Sequence, residues 1–253
     1  SLSIVDAKDG MVCGLTYATN LFDSSTAQAW LRYYQRILSA MVTDTMATVL
    51  SIPLLDTHES HTLLETFNNT SCDFATERNV ITLFEAQVDD NPQDIAIIVD
   101  GETLTYAELE GKANQLAHYL VEQGVGPNDL VALCLDRSVD MMIAILGTLK
   151  AGGAYVPLDP SYPQFRLTYT MRDAAPKIIL TQSHVSSTLD DVFDEVSTLN
   201  IVPLTMDTFW GDAAAAYPSH RVDRNDLSAH HLAHVIYTSG TTGQPKGVQN
   251  SHV

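Results

Sequence analysis

From about residue 80 onward, short and uniformly apolar runs alternate with longer amphipathic stretches, the pattern of buried strands separated by covering helices. Val80, Leu83, Phe84 and Val88 fall on one helical stripe, which Asn91-Pro92 ends. Ile95 to Val99 predicts a strand, Asp100-Gly101 a hairpin turn, and Glu102 to Thr105 the returning strand. Thr105-x-x-Glu108 predicts a capping box, and Leu109, Ala113, Leu116 and Leu120 the buried face of a helix ending at Gly124. Leu130 to Leu135 is another continuous apolar run. Ser138 then caps a helix carrying Met142, Ile145, Leu146 and Leu149, which stops at Gly152-Gly153. Ala154 to Leu158, Lys177 to Thr181 and Asn200 to Leu204 predict further strands, while Ala213 to Ala216 and Ser219 to His231 read as a surface excursion. The fold class predicted is α/β, with a mainly parallel sheet flanked by helices.

The first 76 residues break this rhythm. Met11 to Ala18 reads as a strand, Asp23 or Ser24 as an N-cap, and Trp30, Tyr34, Ile37, Leu38 and Met41 as one helical face. One strand and one helix cannot bury both their faces, so 1–50 reads as the remnant of a domain whose body lies upstream. Ser51 to Thr76 is polar, with a short helix expected from Thr57 to Phe67, and reads as an interdomain linker. Residues 77–253 form the main domain.

Near the C-terminus the apolar run Leu232 to Tyr237 predicts a buried strand feeding Thr238-Ser239-Gly240-Thr241-Thr242-Gly243-Gln244-Pro245-Lys246-Gly247. Glycines let backbone N–H groups approach an anion, hydroxyls add donors and the lysine adds a point charge, so this loop is a candidate polyphosphate cradle. It is not a Walker A loop, because Lys246 stands three residues after Gly243 and is followed by glycine. Val253 comes before any helix that would complete a strand–loop–helix unit, so the chain reads as a piece of a longer protein. His252 either faces a bound phosphate or caps the next helix. In the stretch Leu149 to Leu167, Asp159 and Arg166 are placed to pair across a proline-rich loop.

Composition narrows the classes. The net charge of −18, with only 13 Lys and Arg, argues against nucleic-acid or anionic-membrane partners. No apolar run approaches the roughly 20 residues of a membrane span. Cys13, Cys72 and Cys134 lack metal-ligand spacing, which predicts reduced thiols in a cytoplasmic protein. His230, His231 and His234 do not share a helix face and have no carboxylate at ligand spacing, so no metal site is expected.

Three stretches together resemble the adenylation domains of nonribosomal peptide synthetases, within the adenylate-forming, AMP-binding superfamily. They are Leu104 to Leu109, Leu149 to Asp159 extended to Arg166-Leu167, and Tyr237 to Gly247, with Arg137-Ser138 and Asp173 also similar. Tyr17 to Asp23 and Leu64 to Thr70 resemble the tail of a condensation domain and its linker. The resemblance implies an amino-acid-activating ligase that uses ATP and Mg²⁺, and a phosphopantetheine-bearing carrier and condensation domain as neighbours. It further implies that Thr238, Ser239, Gly240, Thr241, Thr242, Gly243 and Lys246 embrace the β- and γ-phosphates. His234 departs from the tyrosine often found there. The amino-acid pocket and the catalytic lysine of the family lie beyond Val253, so no catalytic residue is expected in this piece, and the piece alone is expected not to form adenylates. The alternatives are a stand-alone acyl-CoA or aryl-acid ligase and a non-catalytic ATP-binding or docking module.

Overall fold

A computed structural model describes residues 1–72, 78–99, 101–224, 226–239 and 243–253. The chain divides into two compact units, Ser1–Asp73 and Phe74–Val253.

In the first unit, β1 (Leu2–Ala7) and β2 (Gly10–Leu15) pair antiparallel, with Leu2 opposite Leu15. The sequence reading found only the second of these strands; the missed cue is Asp9-Gly10, whose glycine sits at φ 125° in the connecting turn. Helix α1 (Ser24–Thr43) follows. The segment read as a linker carries a helix where one was expected: α2 (Thr57–His61), capped by Asp56 and Glu59 in a reciprocal box, runs into one wider turn to Thr66. Arg36 holds this segment to α1 by donating to the Leu54 carbonyl at 2.7 Å, to Glu59 at 2.7 Å and to Asp56 at 2.6 Å.

The second unit follows the predicted rhythm. Asn79 caps α3 (Val80–Asp90), and β3 (Ile95–Val99) pairs with β4 (Glu102–Thr105). Thr105 and Glu108 form the expected capping box of α4 (Tyr106–Glu122). Then come β5 (Leu130–Cys134), α5 (Val139–Lys150) capped by Ser138, and β6 (Ala154–Pro157). Two helices not individually predicted, α6 (Gln164–Ala174) and α7 (Ser183–Val196), flank β7 (Ile178–Thr181), and β8 (Val202–Thr205) follows. Helix α7 buries Val185, Leu189, Val192 and Val196, a helical spacing present in the sequence but diluted by its polar residues.

With β9 (Leu232–Ser239) and β10 (Pro245–Ser251), the sheet has the order β10-β9-β6-β5-β7-β8. All neighbours are parallel except β9 and β10. Strand β5 is covered on both sides: Val131 and Leu133 belong to the core shared with α4 and α5, Ala132 and Cys134 to the core shared with α6 and α7. This is why its sequence shows no alternation. Helices α4 and α5 touch at Gly147, where a Cβ would come 2.8 Å from Leu116 Cδ2.

Candidate phosphate-binding hairpin and adjoining cleft

The glycine-rich loop lies between β9 and β10, so the expected strand–loop–helix is a strand–loop–strand. Pairing continues after the loop because Val248 meets Ile236 and Gln249 meets Val235 in register. Gly247 permits this closeness, since a Cβ there would lie 3.0 Å from both the Tyr237 ring and Val235 Cγ1. The same register places Lys246 opposite Thr238 and Pro245 opposite Ser239. Thr238, Ser239, Gly243 and Lys246 are exposed, and Gly243 takes φ 85° with open space around it. Gly240, Thr241 and Thr242, also expected in the cradle, lie outside the described residues. Among the described residues no carboxylate pairs with Lys246. A cation and two hydroxyls gathered at one hairpin tip, with room beside a glycine, fit a polyphosphate. Among the described residues no group of three or more His, Cys, Asp or Glu is placed to hold a metal ion.

Behind the tip the hairpin is pinned. Tyr237 donates to Asp173 Oδ2 on α6 at 2.6 Å, and burial together with this acceptor pushes the phenol above its ordinary pKa. His234 faces Asn250, whose Nδ2 lies 3.2 Å from its Nε2, and its ring lies 5.4 Å from that of Tyr155. His252 does not face the tip. It sits at the opposite end of the hairpin, where its N–H donates to the Ala229 carbonyl at 3.1 Å and its Nδ1 accepts from Val80 N–H at 3.4 Å. Burial, then the neighbouring His231 and His234, lowers its pKa.

The expected Asp159–Arg166 pair is not formed. Asp159 accepts from Ser161 N–H at 2.8 Å and Ser161 Oγ at 2.6 Å within its own turn, and these bonds lower its pKa. Arg166 instead lies over the Tyr162 ring at 3.9 Å, a contact that a planar guanidinium makes well.

Next to the hairpin a cleft of 660 Å³ opens at the C-terminal ends of β5, β6 and β9. Leu133, Leu135, Met141, Ile145 and Ile236 give it an apolar floor, and Asp136, Arg137 and Asp159 stand at its margin. Asp136 pairs with His184 at 2.8 Å. Cys134 is buried, its thiol pushed up to about 12 by burial, and is therefore inert. The sequence reading missed this cleft. Its only linear sign is that two apolar strands each end on an acidic residue, Asp136 and Asp159. Clefts in open α/β sheets lie at such strand ends.

The family model of the AMP-binding enzymes matches residues 84–253. The chain belongs to the AMP-binding enzyme family. Malpinin synthetase of Mortierella alpina is 39% identical over 252 residues, covering 100% of this chain and 3% of that protein. Gramicidin S synthase 2 of Brevibacillus brevis is 38% identical over 256 residues, covering 100% of this chain and 5% of that protein. The chain thus spans only 3% and 5% of the length of these two AMP-binding relatives. Among solved structures, ATP-bound MatB from Rhodopseudomonas palustris is similar at 32% identity and a TM-score of 0.58, over 69% of this chain and 35% of that one. An anthranilate CoA ligase, AuaEII, solved with anthranoyl-AMP, shares the fold at 19% identity and a TM-score of 0.64, over 71% of this chain and 35% of that one. The peptide-synthetase resemblance read from three motifs is borne out by synthetases that align with the whole chain, residues 1–72 included.

Proposed function

We propose that the chain is the seam of a nonribosomal peptide synthetase module. Residues 1–50 form the tail of a condensation domain, 51–76 the linker, and 77–253 the first part of an amino-acid adenylation domain. In the parent protein an amino-acid carboxylate attacks the α-phosphate of ATP. Pyrophosphate leaves, and the aminoacyl-adenylate passes its acyl group to a phosphopantetheine thiol on a carrier domain. ATP brings the activated phosphoryl group. The part taken by this chain is to hold the leaving end: Lys246, Thr238, Ser239 and Gly243, with Gly240, Thr241 and Thr242 by motif, neutralise and orient the β- and γ-phosphates. Charge moving onto those oxygens as the bond breaks is stabilised by donors already in place.

The observation that carries this reading is the cross-strand pair of Lys246 and Thr238 at an exposed hairpin tip. Similarity to synthetases over the whole of this chain, residues 1–72 included, supports this over a stand-alone acyl-CoA or aryl-acid ligase, since the similarity to MatB reaches 69% of the chain. Equilibrium dialysis of the chain with labelled ATP and Mg²⁺ tests the reading. Pyrophosphate is expected to compete and adenosine not to, with no ATP–pyrophosphate exchange by the isolated chain. Competition by adenosine alone would sink the phosphate assignment, and exchange by the isolated chain would sink the incompleteness.

A further inference from the structure

The surface excursion read over Ala213–Ala216 and Ser219–His231 is on the surface, and it is also fastened to the body of the second unit. Helix α4 presents a polar stripe at four-residue spacing, Glu110, Asn114, His118 and Glu122, and the segment is fastened along it. Tyr217 donates to Glu122 at 2.7 Å, the His220 carbonyl lies 3.0 Å from His118 Nε2, and Asn114 donates to the Ser219 carbonyl at 2.7 Å. Arg221 donates to Glu110 at 2.9 Å and to Asp89 at 2.7 Å. Glu110 also accepts at 3.2 Å from Lys150, whose side chain is 2% exposed and which is further bonded to Glu85. The buried ammonium of Lys150 holds Glu110 in place as the acceptor for Arg221.

Further along, Arg224 donates to the Ala151 carbonyl at the end of α5. Gly152 makes the seat: with φ 87°, its missing Cβ would lie 2.7 Å from Leu227 and 3.0 Å from Arg224. This gives the glycine pair a second task beside stopping a helix. The segment then meets the end of the phosphate hairpin just past β10, while Asn128, outside the segment, ties the start of β9. The segment's Ala229 and His231 carbonyls accept from His252 N–H at 3.1 and 3.3 Å, and Asn128 Oδ1 accepts from Leu232 N–H at 2.9 Å.

We propose that the described residues of 214–231 form a strap that positions the hairpin, with Glu110, Arg221 and Arg224 as positioning residues for polyphosphate binding. The coupling rests on the reading of the hairpin as the polyphosphate holder. Because such coupling is reciprocal, whatever loosens the strap loosens the hairpin, and a polyphosphate on the hairpin tightens the strap.

The test combines trypsin digestion with hydrogen exchange on the 253-residue chain. Glu110→Gln is expected to speed cleavage after Arg221 and Arg224 about tenfold, and exchange of the 246–251 amides by a similar factor. Cleavage after Arg172, on α6, stays unchanged. A strap that opens while 246–251 keep wild-type protection overturns the proposal. Should Glu110→Gln lower protection everywhere, Arg221→Gln decides, since it removes the strap's bonds to Glu110 and Asp89 and leaves the buried Lys150 both of its carboxylates. Faster exchange across 246–251 supports the strap, and unchanged exchange overturns it. In the wild type, ATP with Mg²⁺ is expected to slow strap cleavage. ATP that binds without slowing it contradicts the coupling. Failure of ATP to bind at all refutes the functional reading, while the exchange arm still judges the coupling.

Discussion

The two units use apolar residues in opposite ways. In Phe74–Val253, Leu116 and Ile143 on one side of β5 and Ile179 and Leu189 on the other are 0% exposed, each pair within a continuous core. In Ser1–Asp73, Ala27 is the one buried hydrophobic among the described residues, while Val5, Met11 and Val12 are 60%, 71% and 60% exposed. Two strands and a helix have too few faces to cover one another, whereas six strands with helices on both sides close over their own core. What organises the first unit is polar instead: one arginine holding a capped turn. Its bare apolar face suits the proposed role as the tail of a larger domain.

Substitutions separate these two modes. Leu116→Ala is expected to cost about 3 kcal/mol in urea unfolding, the usual cost of a cavity in a packed core. Val5→Ala is expected to stay within about 0.5 kcal/mol, as for surface positions. Equal effects would erase the contrast. Next in size, Arg36→Ala should raise hydrogen exchange across 54–66 and leave the second unit untouched; a change in both units would mean that the polar clamp supports more than its own segment.

A smaller effect concerns pH. His252 has a folded-state pKa below its unfolded value, so its contribution to stability is complete above about pH 6.5 and is lost as pH falls below that. His252→Gln is therefore expected to flatten the fall in stability between about pH 6.5 and 5. An unchanged slope would place the histidine in solvent. Least of all, Lys246→Ala is expected to move stability by no more than about 0.5 kcal/mol, because the side chain is exposed and unpaired with any described carboxylate.

Local signals were legible wherever they act through neighbouring residues. The Thr105 capping box, the Ser138 cap, the Gly101 turn and the apolar strand β5 stand where the pattern put them. Thr238, Ser239, Gly243 and Lys246 were read as part of a candidate cradle, and their phosphate-holding role is a proposal. What stayed hidden depends on partners distant in sequence. Nothing local says that Lys246 faces Thr238 across a hairpin, that Arg166 prefers Tyr162 to Asp159, or that Arg221 reaches back to Asp89 and Glu110. The stripe of α4 was read only on its apolar side. Its polar side, Glu110 to Glu122, looked like a solvated face until the strap occupied it.

The central claim is that the β9–β10 hairpin holds the polyphosphate of ATP. Phosphorus NMR of ATP and Mg²⁺ titrated with the 253-residue chain addresses it directly. The β- and γ-phosphate resonances are expected to shift and broaden more than the α resonance, and the effect is expected to vanish with Lys246→Ala while the fold persists. Resonances left unmoved by the wild-type chain, or moved equally by Lys246→Ala, would contradict it.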